Sequence, residues 1–235
     1  MSNRVHATAF VGPGVSLGRD VVVGPYAVLL GPLTVADAVW IGPGAHLGGP
    51  PEIATFRHNE PWAGDLDHHE IRIGPRTRIR DGVAIHHGSM RPTLVGADCL
   101  LFTHSYVAHD VQVGDGVTLS AGVTVGGHAT IRDNANLGLN VMVHQRRSIG
   151  AGAMVGMGTA VTRDVPPYAT AYGMPPRVQG LNEFLLRKQG NADETIAGIR
   201  SWYRGHPGRL PSEIERELFW WEVLTDRRPM SGAPG

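Results

Sequence analysis

A six-residue period in large aliphatic residues is the feature that most restricts how this chain can fold. A second, usually small, apolar residue follows four positions after most of them. An amphipathic helix would need a period near 3.6 residues, and a half-buried strand a period of about two. The aliphatic series runs Val11, Leu17, Val23, Leu29, Val35, Ile41 and Leu47, then Ile73, Ile79 and Ile85, then every sixth residue from Val95 to Val161.

A period of six fits a short strand followed by a corner, so that three sides close one coil of about 18 residues. Stacked coils form a solenoid whose backbone groups pair with the coils above and below. The sequence therefore predicts an all-β solenoid over residues 1–180, interrupted at 50–70 and 86–95. Such insertions are tolerated surface loops, but in solenoids they often gather on the binding face, so the longer one is a candidate for shaping a substrate site.

After Pro166 the period is lost and helical apolar faces follow. Capping-box spacing occurs at Asn191 with Glu194 and at Ser212 with Glu215. These signals predict a small helical region over residues 181–230, and the final stretch, 226–235, is expected to be frayed.

The composition excludes several classes of function. The net charge is zero, so no basic excess indicates nucleic acid or an anionic membrane as a partner. The single cysteine, Cys99, allows no intramolecular disulfide and no cysteine-based zinc site. Because the sequence also lacks a signal peptide and a long apolar run, we expect a soluble, cytoplasmic protein without membrane insertion.

Histidines gather on one predicted side of the solenoid. The hexads that open at Val107, Val125 and Val143 lie one coil apart and carry His109, His128 and His144, respectively. Counting back through the short insertion places His86 on the same side. A single turn histidine is more often a solvated residue, whereas a line of imidazoles in coils about 4.8 Å apart indicates a functional site.

The stretch HSYVAHD, residues 104–110, leaves two chemistries open. His109 could be a general base whose tautomer Asp110 fixes, which would suit acyl transfer. Alternatively, His104 and His109 could be two ligands of a metal ion.

A family resemblance bears on this choice. The segments VAHDVQVG, VGGHATI, VMVHQ, VTRDVPPYATAYG and QGLN are similar, in order and spacing, to the hexapeptide-repeat UDP-N-acetylglucosamine acyltransferases of lipid A synthesis. The resemblance covers residues 5–205 and implies a left-handed β-helix, a homotrimer and sites in clefts between subunits. It implies His109 as the general base, Asp110 as its orienting carboxylate and Gly127 as a backbone N–H donor to the oxyanion.

The same resemblance implies a set of substrate contacts: His128, His144, Gln145, Met157, Asn182, and Arg187 or Lys188. Met157 stands where the family sets the depth of its acyl pocket, so a short or medium acyl group is expected. Asn59 and Pro61 stand near places where the family carries an acidic residue and a lysine, which leaves the acceptor open. Arg146 and Arg147 form either a solvated pair or a phosphate contact.

Two rival interpretations remain. RDGVAIHHG and HSYVAH resemble the γ-carbonic anhydrases, which implies zinc bound by His86, His104 and His109 across a trimer interface. That interpretation gives no task to His128 or His144, and the coil before His86 lacks the Arg-x-Asp of those enzymes. The other rival is a non-catalytic assembly or carrier-binding module, against which the intact His109–Asp110 pair argues.

The sequence therefore predicts a homotrimeric acyltransferase that needs no cofactor. The donor would be a thioester of acyl carrier protein (ACP) or of coenzyme A. The acceptor would be a hydroxyl or amine of a sugar-nucleotide-like or specialised-metabolite molecule.

Overall fold

The structure, a computed structural model, describes residues 2–224 and 226–232. Within those residues the chain folds into the predicted left-handed parallel β-helix, whose strands form three sheets. The ten-stranded sheet contains Arg4–Val5, Val22–Val23, Trp40–Ile41, Arg78–Ile79, Leu100–Leu101, Thr118–Leu119, Asn136–Leu137, Met154–Val155, Ala169–Tyr172 and Arg177–Leu181. The eight-stranded sheet contains Phe10–Val11, Val28–Leu29, His46–Gly49, Ala84–His86, Tyr106–Val107, Thr124–Val125, Met142–Val143 and Ala160–Val161. The seven-stranded sheet contains Val15–Leu17, Leu33–Val35, Ile71–Ile73, Thr93–Val95, Gln112–Val113, Thr130–Ile131 and Ser148–Ile149.

The six-residue period is the register of these sheets. Val107 pairs with Val125, and Val125 pairs with Val143, one 18-residue coil apart each time. The aliphatic residue of each hexad points inward, and in the central coils it is almost completely buried. Burial of each such side chain stabilises the fold by about 1.5–3 kcal/mol, so the repeated stack supplies the core.

Many corners turn through a residue with left-handed backbone geometry. In three successive coils of the eight-stranded sheet this residue is Asp110, His128 and Arg146, with φ angles of 63°, 60° and 60°. Such angles are uncommon for residues other than glycine and are most tolerable for Asn, Asp and His. The corner therefore fixes the direction in which Asp110 and His128 leave the backbone.

Both insertions pack onto the solenoid. The longer one holds a short 3-10 helix, Pro61–Ala63, and places the ring of His68 between Phe56 and the fully buried His87. The shorter one rejoins the register at Thr93, whose hydroxyl accepts a hydrogen bond from the Asp110 N–H. The shorter insertion therefore covers the corner that carries Asp110.

Three helices follow the last strand: α1, Glu183–Lys188; α2, Asp193–Tyr203; and α3, Ser212–Val223. They share a second apolar core, which includes Tyr168 of the solenoid. None of the helices in the described residues is long and apolar enough to cross a membrane.

Both predicted capping boxes are wrong. The residue before α2 is Ala192 and the residue before α3 is Pro211, and neither supplies a side-chain cap. Ser212 is already helical, and the Glu215 carboxylate accepts from the Leu210 N–H instead. The chain enters each helix one residue away from the position that the spacing suggested. The described cap is at α1, where Asn182 accepts from the Leu185 N–H.

The expected fraying of residues 226–235 is wrong for residues 226–232, and residues 233–235 lie outside the described part. Met230 is buried, and its N–H donates to the Asp164 carbonyl. Asp164 in turn donates its own N–H to the Arg228 carbonyl and accepts from the Arg228 N–H through its carboxylate. These contacts hold the tail against the solenoid, and local sequence carries no sign of them.

Candidate active site

The histidine side of the solenoid is where the sequence predicted it, but its imidazoles do not form one stacked column. The strands that contain Ile85, Val107, Val125 and Val143 are successive neighbours in the eight-stranded sheet. His86 and His144 come directly after the inward aliphatic residue, His109 one position later, and His128 at the left-handed corner position. This offset brings the rings of His109 and His128 edge to face, with centroids 5.0 Å apart.

The carboxylate of Asp110 is the most densely hydrogen-bonded group of the site. It is fully buried, and its Oδ1 accepts the backbone N–H groups of Ser89 (3.1 Å), Met90 (2.8 Å) and Arg91 (2.8 Å). Its Oδ2 accepts the Ser89 hydroxyl at 2.6 Å and lies 2.6 Å from Nδ1 of His109. The short insertion therefore supplies a nest of donors that holds this carboxylate in place.

These contacts keep Asp110 ionised. Burial alone would raise the pKa of this carboxyl. The hydrogen bonds from Ser89, His109, Met90 and Arg91 outweigh burial and hold the pKa well below its usual range. An ionised carboxylate can only accept hydrogen bonds, so Nδ1 of His109 must carry the proton that joins the two residues.

That assignment leaves Nε2 of His109 as the basic nitrogen. The side chain is buried except for a small exposed fraction, 10%. Within the described residues no protein group forms a hydrogen bond with Nε2, since the hydrogen bond of this ring is through Nδ1. A histidine with this tautomer, orientation and accessible Nε2 is equipped to accept a proton from a bound molecule.

Gly127 packs against this imidazole. A Cβ at this position would lie 2.5 Å from Cε1 and 2.6 Å from Nε2 of His109, so no other residue fits without moving the ring. In some other coils the backbone N–H at the position equivalent to Gly127 donates to an aspartate side chain of the next coil. The N–H of Ala97, for example, donates to Oδ1 of Asp115. The next coil offers Gln145 at that position, and within the described chain the Gly127 N–H donates to no acceptor. A free N–H donor thus lies beside the basic nitrogen.

His128 is the second imidazole of the cluster. Its Nδ1 lies 3.7 Å from Oδ2 of Asp110. Partial burial lowers the pKa of His128, and the nearby Arg146 lowers it further, against the opposing effect of Asp110. His128 is therefore neutral near pH 7 and can exchange hydrogen bonds with a polar ligand.

The remaining predicted contacts are spread over two areas. His144 and Gln145 are exposed next to this corner, and Nδ1 of His144 lies 3.0 Å from the Gln145 carbonyl. Asn182 and Lys188 line a groove of about 520 Å³ against the ten-stranded sheet. Met157, 74% exposed, lies at a corner of that sheet. Within one chain these two areas remain separate.

Some predicted residues are held by contacts inside the chain. Arg187 pairs with Asp193 and with Glu183. The amide of Asn182 donates to the Gly152 carbonyl at 2.8 Å in addition to capping α1.

Three further residues are also fixed within the chain. Asn59 is buried and donates to the Asp65 carbonyl, and Pro61 is buried at the start of the 3-10 helix. Arg147 is neither part of a solvated pair nor free for a phosphate, because it is buried and paired with Asp164 at 3.1 Å.

The alternative zinc set is not assembled within one chain. Among the described residues, the group of three potential ligands with atoms within 4.8 Å of one another is His109, Asp110 and His128. Nδ1 of His86 lies 2.7 Å from the Pro50 carbonyl and its ring packs on Tyr106. A site shared by His86, His104 and His109 would need a second subunit and stays a prediction.

Three family models match consecutive parts of the chain. Residues 92–127 match the bacterial transferase hexapeptide model of six repeats, and residues 129–163 match the hexapeptide repeat of succinyl-transferase. Residues 164–205 match domain 2 of Udp N-acetylglucosamine O-acyltransferase. The matches cover both the coils of the histidine cluster and the first two helices.

Similar proteins are also described as UDP-N-acetylglucosamine O-acyltransferases. The acyl-ACP–UDP-N-acetylglucosamine O-acyltransferase of Agrobacterium fabrum is 36% identical over 199 residues, covering 83% of this chain and 70% of the relative. That of Verminephrobacter eiseniae is 36% identical over 225 residues, covering 87% and 82%. The solved structure of LpxA from Acinetobacter baumannii superposes with a TM-score of 0.73 at 25% identity, covering 97% and 99%.

Proposed function

The chain belongs to the family of acyl-ACP–UDP-N-acetylglucosamine O-acyltransferases, and from this membership we propose that it moves an acyl group from acyl-ACP to a hydroxyl of a UDP-N-acetylglucosamine-type acceptor. The observation that carries the proposal is the pair in which ionised Asp110 fixes the Nδ1 proton of His109 at 2.6 Å. The basic Nε2 of His109 then lies next to Gly127, whose backbone N–H donates to no acceptor within the described chain.

These groups account for each step of acyl transfer. Nε2 of His109 takes the proton of the acceptor hydroxyl while that oxygen attacks the thioester carbonyl carbon. Negative charge moves to the carbonyl oxygen, which the Gly127 N–H stabilises. When the carbon–sulfur bond breaks, the leaving thiolate takes the proton from the imidazolium, and the products are an ester and the free thiol of the carrier. Asp110 stays ionised throughout and stabilises the imidazolium.

The two areas of predicted contacts divide between the substrates. His128, His144 and Gln145 lie next to the base and are assigned to the acceptor, whose hydroxyls and amide match neutral imidazole and carboxamide groups. Asn182 and Lys188 are assigned to the donor, because the apolar side chains of Met154, Phe184 and Leu185 line the same groove. A homotrimer, in which one subunit's donor groove meets the next subunit's base, would join these areas into one site.

No resident cofactor is required by this chemistry, because a thioester is already activated toward a neutral hydroxyl. The γ-carbonic-anhydrase alternative gives no task to the Gly127 N–H or to His128. It also leaves unused the donors that the short insertion directs at Asp110.

The direct test is an assay of the purified chain with acyl-ACPs of defined length and UDP-N-acetylglucosamine. We expect free carrier thiol and an acylated UDP-sugar in equal amounts, detected by thiol titration and mass spectrometry. Acyl-CoA and an amino-sugar analogue of the acceptor, run in parallel, decide the donor and the choice between ester and amide formation. Absence of acylated product with every donor and acceptor pair would contradict the proposal.

Met157 is proposed to limit the length of the acyl group. Replacing it with glycine removes a side chain that is 74% exposed in the single chain, where the donor's acyl tail would end. The Met157→Gly protein is expected to prefer a longer acyl-ACP, with a gain of about tenfold or more in relative kcat/KM per two-carbon step, the scale of pocket discrimination between homologous chains.

The measurement is kcat/KM across a series of acyl-ACPs for the wild type and the variant. Met174→Gly, at a methionine that is 94% exposed, is the matched control and should leave the chain-length profile unchanged. A Met157→Gly profile identical to that of the wild type would remove Met157 from the acyl pocket.

A further inference from the structure

Four arginines from distant parts of the sequence line two adjoining grooves beside the histidine cluster. Arg91 comes from the short insertion, Arg146 from the corner after His144, Arg163 from the exit of the last coil, and Arg228 from the C-terminal tail. The grooves have volumes of about 680 and 790 Å³, share Arg146, Arg147 and Arg228, and are together called the arginine groove here.

The arginine groove carries a net positive charge. Arg147 and Asp164 also line it, but they neutralise each other in a buried pair at 3.1 Å. Among the described residues that line the two grooves, Asp226 is the one other residue with a carboxylate. The guanidinium groups of Arg146, Arg163 and Arg228 are exposed, and within the described chain no ion pair ties them to a carboxylate. The cluster is local, since the whole chain has a net charge of zero.

Internal contacts hold two of these arginines, Arg228 and Arg91, in place. The Asp164 carboxylate, oriented by Arg147 and by the Ser148 N–H, accepts the backbone N–H of Arg228. Nε of Arg91 donates to the Asp110 carbonyl at 2.9 Å, so part of its guanidinium is directed by the catalytic corner itself. The tail is thus fastened to the solenoid at the point where it adds an arginine to the groove.

We propose that the arginine groove binds a phosphate or diphosphate group of one of the substrates. Guanidinium groups bind phosphate oxygens through paired, charge-assisted hydrogen bonds, and several around one groove suit a multiply charged group. The groove includes His128, whose ring is 5.0 Å from that of the base, so a bound phosphate would place the rest of its molecule near Nε2 of His109. This inference rests on the proposed function and adds an anion subsite to it.

The arginine groove also offers the positive charge that the longer insertion lacks at Asn59 and Pro61. Pro61 cannot supply a cation where the resemblance expects one, and Asn59 is bound within its own loop. Arg146, Arg163 and Arg228 offer the positive charge from the opposite, C-terminal side of the histidine cluster.

The test combines single substitutions Arg146→Gln, Arg163→Gln and Arg228→Gln with kinetics and with pyrophosphate as a probe. Each substitution is expected to raise KM for the phosphate-bearing substrate about tenfold, the usual effect of removing one charged hydrogen-bond partner, with a smaller effect on kcat. Pyrophosphate should inhibit the wild type competitively and the variants about tenfold less well. Arg204→Gln, at an exposed arginine outside both grooves, is the matched control.

The outcomes show which substrate carries the bound phosphate. Raised KM for the UDP-sugar, with pyrophosphate competing against it, assigns the subsite to the acceptor's diphosphate. Raised KM for acyl-ACP instead assigns it to the phosphopantetheine of the donor. Unchanged KM values and unchanged inhibition in all three variants would overturn the inference while acyl transfer stands. If the wild type transfers no acyl group, calorimetric titration with pyrophosphate still tests the subsite independently.

Discussion

Replacing His109 with alanine is expected to lower kcat/KM for acyl transfer by about a thousandfold, within the range usual for loss of a general base. Nε2 of His109 is the group we assign to the acceptor's proton. His128 cannot replace it with the same geometry, because its Nδ1 lies 3.7 Å from Oδ2 of Asp110 and lacks the hydrogen bond that fixes the tautomer of His109. The measurement is initial rate against acceptor concentration, with thiol release followed in parallel.

Two further variants make this result specific. His109→Asn keeps a polar side chain against Gly127 and should be equally impaired, which separates lost chemistry from the space that alanine leaves behind. His104→Ala is the matched histidine control, at a corner residue with φ of 56°, and should retain wild-type activity. Equal losses in His104→Ala and His109→Ala, accompanied by loss of bound zinc, would instead support the metal alternative. Full activity in His109→Ala would revive the non-catalytic one.

The fold could be predicted from the sequence because its period is itself the strand register. Each inward aliphatic such as Val125 pairs with its equivalent one coil away, so spacing along the chain becomes position in space. The predicted line of imidazoles failed on a finer point of the same geometry. His109, His128 and His144 share a side, but they follow their inward aliphatic residues by two, three and one positions, and this offset brings only the rings of His109 and His128 together.

The rest of the site depends on groups that leave no mark in the sequence. The donors to Asp110 from Met90 and Arg91 are backbone N–H groups, which every residue except proline possesses. From the sequence, Ser89 is only a hydroxyl-bearing residue inside an insertion, and nothing marks it as a hydrogen-bond donor to Asp110. Arg228 reaches the groove because Asp164 binds the tail, a contact between residues 64 apart that follows no periodic pattern. Arg147 was misread because its partner lies in the next coil.

Asp110→Asn is expected to lower kcat by about a thousandfold to ten-thousandfold, the size of effect seen when a catalytic histidine is given the wrong tautomer. The amide that replaces the carboxylate has two possible orientations, in which its oxygen and its NH₂ group exchange places. Three backbone N–H groups, from Ser89, Met90 and Arg91, converge on the position of Oδ1 and will select the amide oxygen there. The amide NH₂ must then face Nδ1 of His109, which becomes the acceptor, so that the proton moves to Nε2. A protonated Nε2 cannot take the proton of the acceptor hydroxyl.

This variant tests orientation rather than folding, because the Ser89 hydroxyl can reverse its role and accept from the new NH₂ group. The Tm should fall only modestly. The matched control is Asp115→Asn, whose Oδ1 accepts the Ala97 N–H at 2.7 Å and can be replaced by an amide oxygen without further consequence. Its activity should equal that of the wild type. If Asp110→Asn kept its kcat within about tenfold of the wild type, the tautomer of His109 would not be what Asp110 supplies, and the nest of the short insertion would serve only to stabilise the corner.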